Sequence, residues 1–198
     1  VVTRDELRQA THDKVMASAE RLFRERGYRA TTVRDIATDA GVSVGSVMTV
    51  GDKAQLLVAM FDRSIEQIHV GRRRDGVPEA PSGPGGNPAD RILEVVAPFL
   101  EIFAEDAQLS REYSAILTSG DHDSALFHGL ADDLVREFSV VLQESGMGSQ
   151  DVPVAAKAIY FAYLGAIRAS AARGGVAAEQ SLEDMHAVFT YIATPRGK

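Results

Sequence analysis

Residues 31–53 read TTVRDIATDAGVSVGSVMTVGDK, and their spacing decides the fold. Thr32-Val-Arg-Asp35 has the spacing of a capping box, with Asp in place of the preferred Glu. The helix it starts carries Val33, Ile36 and Ala37 until Gly41, which permits the chain to reverse by adopting a positive φ. Val42 can plug between two helices, and Ser43 can cap the next one, over Val44–Val50. Two short helices joined by so tight a turn form a helix-turn-helix pattern. The amides freed at the second helix's start attract phosphate. Small side chains at Gly45, Ser46 and Thr49 let that helix lie close in a major groove.

Upstream, Val15, Met16, Ala19, Leu22 and Phe23 recur on one face of a helix that Gly27 stops. Downstream, Gly51-Asp52 breaks the chain again. Asp52 can cap a long helix with Leu56, Leu57, Met60, Phe61, Ile65 and Ile68 on one side, running to about Arg74. Residues 75–90, DGVPEAPSGPGGNPAD, read as a mobile Pro/Gly-rich linker. They are not a phosphate loop, because no Gly-Lys-Ser/Thr follows and no strand precedes them. Helical periodicity then resumes with Ile92, Leu93, Val96 and Leu100, with Pro98 as a kink, and continues over 107–119 and 124–144. A nearly all-apolar helix over 154–173 follows. A last one starts near Ser181, where Ser181-Leu-Glu-Asp184 has capping-box spacing, and ends before Pro195. No alternating strand and no internal repeat is evident. The expected fold is all-α: a helix-turn-helix domain over 1–53, a connecting helix over 54–74, the linker, and a helical bundle over 91–198.

The 198 residues carry 21 basic and 28 acidic side chains, so 21 − 28 = −7. That acidity does not exclude nucleic acid, because the charge is uneven. Residues 1–74 hold 13 basic against 10 acidic (+3), and residues 75–198 hold 8 against 18 (−10). The absence of cysteine excludes a disulfide framework and thiolate chemistry, and fits a reducing, cytoplasmic compartment. No apolar run is expected to reach the length of a membrane span, and the start VVTRDELRQATHDK has no signal-peptide core.

The segment Phe23-x-x-x-Gly27-Tyr28-x-x-Thr31-Thr32-Val33-x-x-Ile36-Ala37-x-x-Ala40-Gly41-Val42-Ser43-x-Gly45, followed by Lys53 and Leu56, resembles the DNA-binding domain of the TetR family of transcriptional regulators. The resemblance covers roughly residues 12–57. It implies a dimeric repressor that binds an inverted-repeat operator in double-stranded DNA and is released by a small-molecule effector, with no cofactor, catalytic residue or membrane. One departure stands out. Where the family has Gly-x-x-Tyr-x-Tyr/His-Phe-x-x-Lys, this chain reads Gly45-Ser-Val-Met48-Thr-Val50-Gly51-Asp-Lys53, one residue shorter. Met48 replaces a tyrosine whose hydroxyl reaches phosphate, so fewer phosphate contacts are expected. Val47 and Val50 can still pack inward.

By the resemblance, Thr32 and Lys53 contact phosphate and Arg34 is the exposed cation of the second helix. Ser43, Val44, Gly45, Ser46, Met48 and Thr49 face the duplex, and Arg4 and Arg8 extend along it as a flexible arm. With no arginine in the recognition helix, methyl and hydroxyl contacts must do the reading. Thr32 and Ser43 would cap helices in any case, and the arginines are equally well solvated surface charges. For the dimer, the resemblance implies a two-fold bundle using Ala158, Ala162, Gly165, Ala166, Ala169, Val188 and Ile192; the alternative is that Ile159, Phe161 and Leu164 make this helix ordinary core, and both can hold on different faces. The effector cavity would draw on Phe99, Phe103, Tyr113, Phe127, Tyr160 and Tyr163. His128 and Phe138 are further candidates.

Two rival readings come from the same residues. Glu66-x-x-His69 and Glu183-x-x-His186 have the i, i+3 spacing of helical di-iron proteins, giving a metal-dependent oxidase as an alternative. Two surface pairs that merely stabilise their helices explain the spacing as well. A DNA-binding module without a small-molecule ligand is the other alternative. Asp121-His122-Asp123 reads as a surface loop, and Arg72-Arg73-Arg74 as a solvated helix end.

Overall fold

The computed structural model describes residues 3–75, 86–119, 125–172 and 178–194; for 73–75, 125–130, 170–172 and 178–181 it describes the backbone alone. Most of the linker and the Asp121-His122-Asp123 cluster therefore lie outside the described residues. The described residues are helical: α1 (Arg4–Arg26), α2 (Val33–Ala40), α3 (Val44–Val50), α4 (Lys53–Asp75), α5 (Pro88–Glu105), α6 (Ala107–Ser119), α7 (Ala125–Glu144), α8 (Val152–Ala172) and α9 (Ala178–Ala193). No strand occurs among them.

The chain divides into two compact units. One holds residues 1–64 and 108–124, the other 65–107 and 125–198. In the first, Val15, Leu22 and Phe23 of α1, Ile36 of α2, Val47 of α3 and Leu56 and Leu57 of α4 are completely or almost completely buried. Each such side chain removed from water contributes about 1.5–3 kcal/mol, so the two short helices α2 and α3 are held by the core they share with α1 and α4. Helix α6 belongs to this unit. Tyr113 stacks on Phe61 with ring centres 4.4 Å apart, and Glu112 accepts a 2.7 Å bond from Arg29. In the second unit α8 packs between α7 and α9, and α5 packs on α7 and α9. Its core includes Ile92, Val96, Phe99, Phe138, Leu142, Ile159, Tyr163 and Phe189.

Several boundaries differ from the sequence expectation. Helix α1 begins at Arg4, because Thr3 and Glu6 form a capping box: Glu6 N–H donates to Thr3 Oγ1 at 3.2 Å and Thr3 N–H to Glu6 Oε2 at 2.6 Å. Arg4 and Arg8 are thus in the first two helical turns and do not form a flexible arm. Helix α5 begins at Pro88, inside the stretch read as linker. Asn87 caps it, and a proline fits the first turn, where its missing N–H is not needed. Helix α9 begins at Ala178, so Ser181 lies inside it and is not its cap. Helix α8 contains a stretch, Val152–Ala169, long and apolar enough by length and composition to cross a membrane, contrary to the expectation that no run is. Of the residues that could be core in α8, Ile159 is fully buried while Phe161 is 66% exposed.

Candidate nucleic-acid interface

The local chemistry of residues 31–55 fixes α2 and α3. Thr32 caps α2: Asp35 N–H donates to Thr32 Oγ1 at 3.2 Å, and Thr32 N–H donates to Asp35 Oδ2 at 2.8 Å. The Thr32 side chain and backbone bonds hold the Asp35 carboxyl below its ordinary range, which is also favoured at a helix N-terminus. Gly41 ends α2 with φ 65°, in the left-handed region that a side chain would strain. Ser43 caps α3, its Oγ accepting from Ser46 N–H at 3.0 Å and lying 2.9 Å from Ser46 Oγ. Asp52 and Gln55 cap α4 reciprocally, with both backbone-to-side-chain bonds at 2.8 Å.

Longer-range contacts set the pair of helices against α1. Arg21 of α1 bonds Glu25 in its own helix and Asp39 in α2, and this guanidinium holds the Asp39 carboxyl below its usual range. The fully buried Thr31 donates from Oγ1 to the carbonyls of Leu22 and Gly27, closing the loop between α1 and α2. Thr31 stood in the family motif, but nothing in the sequence marked its buried hydroxyl as a structural tie. Lys53 donates from Nζ to the carbonyls of Tyr28 and Thr31, at 3.2 and 3.1 Å.

One face of α3 is sealed, with Val47 fully buried and Val50 half-buried. The other is open. Ser43, Val44, Gly45, Met48 and Thr49 are exposed and Ser46 is half-buried. Thr32, Arg34, Arg4 and Arg8 are exposed as well. Lys53 is half-buried and its ammonium serves the loop between α1 and α2. Thr49 Oγ1 donates to the Gly45 carbonyl at 2.9 Å, so its hydroxyl proton is already used.

In the second unit, Phe99 and Tyr163 are buried, Phe103 and Tyr160 half-buried. Burial pushes both phenols up, Tyr163 strongly, so they stay neutral donors. Arg72, near the end of α4, donates to Glu137 Oε2 at 3.0 Å and to the Val95 carbonyl, and lies 5.0 Å from the Phe99 ring centre. Arg72 is thus not part of a solvated helix end. Tyr113 belongs to the first unit, where its hydroxyl donates to Asp62 at 3.5 Å. Phe127 and His128 lie outside the described side chains.

The residues of the metal reading do not converge. Glu66 is exposed while His69 is buried against Phe99, and Glu183 is exposed while His186 lies 2.8 Å from Asp90. Among the described residues no group of three or more His, Asp or Glu side chains is placed to hold a metal ion.

A helix-turn-helix whose second helix presents an open face is the arrangement found in one class of DNA-binding domains. Residues 15–60 match the family model for bacterial regulatory proteins of the TetR family. A TetR transcriptional regulator from Rhodococcus sp. RHA1 superposes with a TM-score of 0.59 at 18% identity, covering 93% of this chain and 96% of that one. A structure described as the molecular basis for control of antibiotic production by bacterial hormones gives 0.53, also at 18% identity, covering 92% and 96%. No curated protein matches the chain in sequence. Over residues 15–60 the chain is thus similar to the DNA-binding domain of TetR-family regulators, and the rest of it shares their all-α fold.

Proposed function

We propose that the chain is a homodimeric cytoplasmic repressor that binds an inverted-repeat operator and is released by a small-molecule effector. The observation that carries this reading is the open outer face of α3 on a firmly capped helix-turn-helix. A single such unit reads only a few base pairs, so two-fold pairing is the usual remedy. Exposed apolar side chains on α8 and α9 support it: Val154, Phe161, Leu182, Val188 and Tyr191 are each more than 40% exposed. Ala158, Ala162, Ala166, Ala169 and Ile192 are half-buried beside them, and Gly165 is exposed.

The effector would sit among Phe99, Phe103, Tyr160 and Tyr163, aromatic surfaces with neutral phenol donors. Helix α4 is continuous from Lys53 to Asp75 and is tied by Arg72 to α5 and α7. An effector that favours an arrangement of this helix ill-suited to the operator would lower DNA affinity by its difference in affinity for the two states.

The test is selection of DNA from a random pool by the full chain at a stated salt concentration. An inverted repeat in the retained set is expected. A metabolite panel then screens for ligands that raise the melting temperature and release that DNA. Retention of unrelated sequences would sink the operator reading, and a panel without effect would favour a DNA-binding module lacking an effector.

A further inference from the structure

We propose that α3 reads its operator chiefly through thymine methyl groups, contacted by Val44, Met48 and the γ-methyl of Thr49. This rests on the regulator reading above and adds what the recognition surface selects. Three observations carry it.

First, the sequence of α3, VGSVMTV, contains no charged or amide side chain. The bidentate donors that pick out guanine, and the Asn or Gln that picks out adenine, are missing. Second, the hydroxyls that could replace them are in large part engaged within the helix, two of their three protons being used there. Ser43 Oγ accepts from the Ser46 N–H, one of the two serine hydroxyls donates to the other, and Thr49 Oγ1 donates to the Gly45 carbonyl. Third, the open surface is apolar: Val44 is 43% and Met48 51% exposed, while Val47 on the opposite side is fully buried. The only major-groove feature complementary to such a surface is the 5-methyl of thymine.

The spacing adds a geometric constraint. Val44 and Met48 are four residues apart and share a face. At about 1.5 Å per residue they lie about 6 Å apart along the helix. That is roughly two base steps of about 3.4 Å. The contacted thymines should therefore be about two steps apart in each half-site. The exposed Arg4, Arg8 and Arg34 of the same unit suit a phosphate-bearing partner better than an apolar protein surface.

The experiment uses the full chain and the DNA recovered from a random pool. Each thymine of one half-site is replaced in turn by deoxyuridine, which removes only the methyl. Replacement at two or three positions should weaken binding about four-fold each, the amount associated with one buried methyl. The slope of affinity against salt should not change, because no charge is removed. Val44→Ala and Met48→Ala alter exposed side chains and should fold normally, which thermal melting checks. Each should erase the preference for thymine over uracil at one position.

Equal binding of thymine and uracil operators, with the inverted repeat still selected, would overturn this proposal and leave the regulator standing. Discrimination that survives both variants would overturn it too. No preference among DNA sequences would remove the regulator reading and this one together. Saturable capture of a protein in place of DNA would reassign the face.

Discussion

The ammonium of Lys53 lies 4.2 Å from the centre of the Tyr28 ring and donates to the backbone carbonyls of Tyr28 and Thr31. One side chain at the start of α4 thereby ties down the loop between α1 and α2. Helices α2 and α3 are the chain enclosed between these two points. The contact holds the helix-turn-helix in place whether or not the third ammonium proton also meets a phosphate.

Lys53→Met keeps the stem and removes the donor. We expect a stability loss of about 1–2 kcal/mol, the lower part of the range for bonds to a charged group because the site is half-buried. Chemical denaturation measures it. Unchanged stability combined with a salt slope reduced by about one would instead assign Lys53 to phosphate contact alone.

Thr32→Ala removes the cap of α2 and should cost about 1 kcal/mol, while Thr32→Ser retains it. The same change has a pH signature. The folded pKa of Asp35 is depressed by Thr32, so its stabilising contribution is full above the ordinary carboxylate value of 3.8 and is lost as pH falls below it. Glu6 and Asp39 behave alike, held down by Thr3 and Arg21 respectively. Acid titration of the wild type should show loss of stability below about pH 4, with a shallower slope in the variant. Parallel curves would remove the carboxylate's role.

The Arg72–Glu137 pair is largely buried, with side-chain exposures of 8% and 17%. Burial is the dominant influence on both, lowering the Arg72 pKa and raising that of Glu137 against their mutual attraction. Desolvation therefore outweighs the pairing, and removing one partner strands the other. Arg72→Met should cost about 2 kcal/mol, below the 3–5 of a fully buried pair because solvent still reaches the carboxylate. The double change Arg72→Met, Glu137→Met should recover most of that loss. A double variant no better than the single one would show that the pair is a net source of stability.

Phe161→Glu and Tyr191→Glu place charge on the most exposed aromatic positions of α8 and α9, which are 66% and 68% exposed. Neither alters the core of its own chain. Sedimentation should find the wild type dimeric and the variants shifted towards monomer, with operator affinity reduced and thermal stability of the monomer preserved. Dimerisation unaffected by both would move the two-fold interface to another surface.

Gly51 ends α3 with φ 167°, an extended conformation open to any residue, so strain is not its reason. A Cβ there would lie 3.0 Å from Gln55 Cβ. Gly51→Ala should displace Gln55 and weaken the Asp52–Gln55 cap, costing about 1 kcal/mol. Circular dichroism melting checks this, and an unchanged melting temperature would show that the turn has room.

The class of fold was legible from periodicity and punctuation. Thr32, Gly41, Ser43 and Asp52 marked helix ends correctly because capping is local: each cap bonds within about three residues. The Thr3–Glu6 box obeys the same rule, and it places Arg4 and Arg8 in a helix and not in an arm. Position within a helix did not settle which side faces solvent. Phe161 lies in the most apolar helix and is nevertheless exposed, because α7 and α9 cover other faces of α8.

What the sequence determined by itself is the succession of helices, the helix-turn-helix and the lack of any charged reader in α3. These depend on residue type at fixed short spacing. The tertiary structure alone decided that Lys53 serves the Tyr28 loop and that Tyr113 of α6 joins the first unit. It also decided that Arg72 is drawn in to Glu137, 65 residues away along the chain. Such contacts depend on which apolar faces find one another, and burial energy rewards any pairing that excludes water without recording it in the spacing of residues.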